Sequence, residues 1–67
     1  MFIISFDIPF DQPTEKRRIN RELHRMGARM LQQSFWEHED LGQLIKIASS
    51  IKSIGGSARI LEEKFIF

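Results

Sequence analysis

Asp7 is the only charged side chain in an otherwise apolar run from Met1 to Ile8. A carboxylate at the end of a buried strand is costly unless it is solvated, hydrogen-bonded or bound to a cation. Two readings follow. Asp7 caps the turn that begins at Pro9 by accepting backbone N–H groups, or it is a working carboxylate. Strand alternation sets Asp7 with Ile3 and Ser5 on one face, and Phe2, Ile4, Phe6 and Ile8 on the other. In a two-fold dimer formed through the first face, each Asp7 would approach its mate. Neighbouring carboxylates repel unless a proton or a divalent cation lies between them. Hard oxygen ligands of this kind suit Mg²⁺ or Mn²⁺ rather than zinc.

The next cluster is basic. Lys16, Arg17, Arg18, Arg21, Arg25 and Arg29 hold six of the ten Lys and Arg residues of a chain whose net charge is only +1. At helical spacing Arg17, Arg21 and His24 share a side, and Arg18, Arg21 and Arg25 overlap it. Glu15 and Glu22 would make this an ordinary solvated face. The acidic residues fall mostly elsewhere, which favours a stripe that tracks phosphates. Glu37-His38-Glu39-Asp40 resembles a metal cluster, but alternation separates Glu37 from His38 and Asp40 reads as a helix cap. The serines, Ser34 among them, have no histidine at a spacing that would make a nucleophilic triad.

These residues need elements to hold them. Met1–Ile8, rich in Ile and Phe and closed by Pro9, reads as a strand. Ile19, Leu23 and Met26 mark one narrow stripe of a helix over 14–26, with Asp11, Gln12 or Thr14 as its cap and Gly27 as its stop. Ala28–His38 reads as one strand. In it Leu31, Gln33 and Phe35 face the helices, while Gln32, Ser34, Trp36 and His38 lie on the open side. Asp40-Leu41-Gly42-Gln43 has the form of a capping box. The helix it opens buries Leu41, Leu44, Ile45, Ala48, Ile51 and Ile54, and stops at Gly55-Gly56. Ser57–Leu61 is a third strand and Phe65–Phe67 a short fourth.

This order predicts an α+β fold, a ferredoxin-like sandwich over 1–67 with an antiparallel sheet and two helices on one face. One strand of that sandwich would be missing or supplied by a bend. Sixty-seven residues give one small domain with a marginal core, and without cysteine there is no disulfide framework and no cysteine zinc site. An uncovered sheet face bearing Ile3, Trp36, Phe65 and Phe67 would be a large patch for so small a monomer, so dimerisation through the sheet is expected. The apolar opening run is far short of a membrane span and has no basic residue before it, which predicts a cytoplasmic protein with no membrane partner.

With the elements in place, Met1-Phe2-Ile3-Ile4-Ser5-Phe6-Asp7-Ile8-Pro9 resembles the first strand of the small CRISPR-associated adaptation nucleases. An arginine-rich helix, Gly27 and Gln32-Gln33-Ser34-Phe35-Trp36-Glu37 follow in the order that family shows. The resemblance covers about the first 40 residues, and the remainder fits in outline. It implies a ferredoxin-like homodimer that bridges CRISPR integrase subunits during spacer acquisition. It also implies a metal-dependent nuclease, with Asp7 holding the cation at the dimer interface. The virulence-associated protein D ribonucleases share the Phe-Asp-aliphatic strand and the Gln-x-Ser strand.

Two functional expectations result. In the first, the protein is a Mg²⁺- or Mn²⁺-dependent endonuclease acting on RNA or DNA. Asp7 binds the metal and orients water, Ser34 bonds a phosphate or that water, and Arg17, Arg18, Arg21, Arg25 and Arg29 hold the backbone. In the second, it is a non-catalytic dimeric adaptor that holds nucleic acid and docks a larger enzyme.

Overall fold

A computed structural model describes residues 1–62. It contains β1 (Phe2–Asp7), α1 (Pro13–Arg25), β2 (Arg29–Gln32), β3 (Phe35–His38), α2 (Leu41–Ser53) and β4 (Ser57–Glu62). All pairings are antiparallel, and the strand order is β2-β3-β1-β4. Two β-α-β units are therefore interleaved, each with a strand of the other between its own two. This is the ferredoxin-like arrangement expected from the order of elements.

The missing strand comes from a bend. The segment expected as one strand over 28–38 is a hairpin, β2 and β3, turning at Gln33-Ser34. Ser34 takes φ +61°, a left-handed conformation that a short strand-to-strand turn favours and that few non-glycine residues adopt. Its carbonyl accepts a hydrogen bond from the Phe6 N–H at 3.0 Å, so the turn is tied to the end of β1. The segment expected as a fourth strand, Phe65–Phe67, lies outside the described residues.

Both helices lie on the face that carries Ile4, Phe6 and Ile8, all buried. Ile19 and Leu23 of α1 and Leu44, Ile47 and Ile51 of α2 close the core above them. The phase of α2 differs from expectation. Leu41 and Ile45 are exposed and Ile47 is buried, so the buried stripe runs through Leu44, Ile47 and Ile51, with Ala48 and Ile54 beside it. Apolar residues occur on more than one side of α2, and packing selected among them.

Trp36 is the larger correction. It is 1% exposed, in register with Ile4 of β1 and Met30 of β2, and so faces the helices rather than the open side. Burying an indole removes more apolar surface than burying Phe35 would, and the irregularity between Met30 and Gln32 accommodates the resulting register. Phe35, half-buried, takes the open face instead.

The helix ends repeat one device. After α1, the Gly27 N–H donates to the His24 carbonyl and the Ala28 N–H to that of Leu23. After α2, Gly55 donates to Lys52 and Gly56 to Ile51. Gly27 and Gly55 have φ +85° and +87°, the left-handed residue this motif requires. At the other end of α1, Gln12 occupies the cap position without capping. Its Nε2 instead donates to the Ile54 carbonyl at 2.6 Å, joining the start of α1 to the end of α2. Among the described residues no helix is long and apolar enough to cross a membrane.

Candidate metal centre and nucleic-acid interface

Asp7 is the last residue of β1, exposed, on the sheet face away from the helices. Across the ladder it meets Ser57 of β4, and two residues back Ser5 lies between Phe35 and Arg59. Ser5, Asp7, Ser57 and Arg59 line a shallow hollow of about 230 Å³. Among the described residues the Asp7 carboxylate makes no ion pair and accepts no side-chain hydrogen bond. The Asp7 side chain accepts no backbone N–H among the described residues either, so the turn-capping role is not taken up and the carboxylate is exposed.

The side chains of this hollow that could ligate a cation, Asp7, Ser5 and Ser57, offer oxygens, the kind Mg²⁺ prefers, and Arg59 adds a positive charge beside them. One carboxylate and two hydroxyls are half of such a site, not a whole one. No group of three metal-ligating side chains occurs among the described residues. The residues fit a hard cation only if a second copy contributes its own Asp7.

Ser34 does not join this hollow. Its turn sits beside Phe6, and its residue lines a different depression, against α1. The Glu37-His38-Glu39-Asp40 string is also accounted for without a metal. Glu37, 6% exposed, pairs with Arg29. His38 Nε2 lies 3.2 Å from Gln43 Oε1, and Asp40 accepts the Gln43 N–H at 3.2 Å to cap α2.

The basic stripe divides. Arg18 bonds Glu15 through both Nε and Nη2, at 3.0 and 2.6 Å, and lies 3.8 Å from Glu22. Hydrogen bonding to Glu15, and then its charge, hold the Arg18 guanidinium above its ordinary pKa. Arg29 is occupied by Glu37. Arg17, Arg21 and Arg25 are exposed and make no ion pair among the described residues. They project from the helical layer, whereas Asp7 lies on the opposite side of the sheet. One chain does not bring the carboxylate and the arginines to a common surface.

Two features escaped the sequence reading. Phe10, beside Pro9, is 97% exposed. It is an aromatic in a turn without an apolar partner at any periodic spacing. The second is the column Lys16, Asn20, His24, which the four-residue spacing sets along one flank of α1 facing the β2–β3 hairpin. Comparison of the chain with protein-family models, with curated proteins and with solved structures returns no match.

Proposed function

We propose that this protein works on nucleic acid in the cytoplasm as a homodimer, in the manner of the small CRISPR-associated adaptation nucleases it resembles. The observation that carries the reading is Asp7, an exposed carboxylate without a cationic partner among the described residues, on a helix-free face that also bears Ile3, Phe35 and Leu61. Joining two such faces would cover the apolar side chains and bring two Asp7 carboxylates toward one axis. Asp7 of each protomer would hold Mg²⁺ or Mn²⁺, which when bound acts as a Lewis acid and lowers the pKa of its water. Ser5 and Ser57 would orient that water or a phosphate oxygen, the role expected of Ser34. Arg17, Arg21 and Arg25 would contact the sugar-phosphate backbone from the helical layer, without reading sequence. The test is cleavage of RNA and of DNA with Mg²⁺. Loss of cleavage in Asp7→Asn with the dimer intact is expected; undiminished cleavage in that variant, or in excess EDTA, would exclude the mechanism.

One observation favours a second reading. A single carboxylate per chain is a sparse metal site, whereas the unpaired arginines suffice for binding. A non-catalytic dimeric adaptor, docking a CRISPR integrase subunit, needs only the latter. For either reading, log K should fall linearly with log salt, by about 0.9 per phosphate neutralised on B-DNA. Arg21→Ala/Arg25→Ala should make the slope shallower, and Arg18→Ala, whose guanidinium is already paired, should leave it nearly unchanged. Equal slopes for wild type and double variant would remove the basic face from both readings.

A further inference from the structure

The crevice between α1 and the β2–β3 hairpin, about 240 Å³, belongs to neither the Asp7 hollow nor the arginine face. Its polar lining is Lys16, Asn20, His24, Gln33, Ser34 and Trp36. Each of these side chains can donate a hydrogen bond, and none is a carboxylate. Lys16 makes no ion pair among the described residues.

Trp36, part of this lining, is itself short of an acceptor. Trp36 is 1% exposed, and its Nε1 is buried without a hydrogen-bond partner. Indole N–H is a donor only, and leaving one unpaired in a protein interior is costly. His24 stands edge-to-face against the Trp36 ring, with centroids 5.1 Å apart. Lys16, His24 and Trp36 therefore line one crevice. A negatively charged group rich in acceptor oxygens matches a crevice lined by donors and without a carboxylate.

We propose that this crevice is an oxyanion site and that the group it takes is a phosphate. A tetrahedral anion has an oxygen for each of several converging donors, and charge-assisted bonds of this kind are about twice as strong as neutral ones. The inference rests on neither the dimer nor Asp7. The phosphate has two possible sources, the free ion and the terminal phosphate of a nucleic-acid strand.

Trp36 is the only tryptophan, so one indole N–H resonance reports on the site. Inorganic phosphate is titrated into ¹⁵N-labelled protein, with sodium chloride at matched ionic strength as the control. A saturable displacement of the indole resonance by phosphate alone is expected. Lys16→Gln, a change at an exposed position, should weaken it about ten-fold, while Lys46→Gln on α2 should not. A 5′-phosphorylated oligonucleotide that saturates the resonance below the concentration needed for inorganic phosphate, where its 5′-hydroxyl counterpart does not, assigns the source to a strand end; equal concentrations assign it to the free ion. No displacement, a displacement matched by chloride, or one unaltered by Lys16→Gln would overturn the proposal.

Discussion

Gly56 fills a space that admits no side chain, and replacing it with alanine should damage the region holding Asp7. A Cβ built there would lie 2.5 Å from the Asp7 carbonyl oxygen, 2.7 Å from Ile51 Cγ2 and 3.1 Å from the Ile51 carbonyl oxygen. Comfortable carbon–carbon contact begins at about 3.5 Å, so β4 and β1 must separate by most of an ångström or α2 must retreat. Two of the three obstacles are backbone, and the Gly56 N–H is already held by the Ile51 carbonyl at 2.9 Å. Overpacking of this kind costs about 1–3 kcal/mol, and the rigidity of the obstacles places it at the upper end. With roughly 4–8 °C per kcal/mol for a domain of this size, the melting temperature should fall by about 12–24 °C. Gly27→Ala is the control, because a Cβ there meets nothing within 4 Å although φ is +85°. It carries only the left-handed strain of about 1–2 kcal/mol. Thermal denaturation followed by circular dichroism ranks the two. A Gly56→Ala protein that melts with the wild type, or above Gly27→Ala, would refute the packing argument.

The observed phase of α2 can be checked by a matched pair: Ile47→Ala should cost about 2–5 kcal/mol, while Ile45→Ala, at a position 52% exposed, should stay within about 0.5 kcal/mol. Denaturant midpoints in the reverse order would place the stripe where the sequence reading put it. Asp40→Ala removes the acceptor of the Gln43 N–H and should lower stability by about 1 kcal/mol, while Asp40→Asn should retain most of it; equal losses would show that the cap contributes through charge rather than hydrogen bonding.

The parts of this fold that are legible in the sequence are those where one pattern has one solution. In β1, Ile4, Phe6 and Ile8 alternate with Ser5 and Asp7, and a single assignment of faces satisfies both sets. In α1, Ile19 and Leu23 lie amid so many charges that no other stripe can be buried. The ambiguous regions were those with apolar residues on both sides. Between Ala28 and His38, Leu31 and Phe35 compete with Met30 and Trp36, and only the register with Ile4 decides. The turn escaped notice because Gln33-Ser34 lacks the glycine or asparagine that usually announces left-handed backbone. For the site, the position of Asp7 on the helix-free face follows from alternation. The pairing of Arg18 follows from the helical spacing of Glu15 and Glu22, whereas the loss of Arg29 does not, since it meets Glu37 only across the β2–β3 ladder.

The position of β1 at the centre of the sheet has a kinetic consequence. Its partners on β4 lie 50 to 60 positions away along the chain, from Asp7 with Ser57 to Phe2 with Glu62. The β2–β3 hairpin and both helices can form from local contacts, but closing the ladder between β1 and β4 requires almost the entire described chain to be gathered first. Contacts of such long sequence separation slow the search. Until it succeeds, β1 offers an unpaired row of N–H and C=O groups flanked by Ile and Phe, the kind of edge to which another chain can add. The strand that carries Asp7 is thus also the segment most exposed to misassociation while the protein folds.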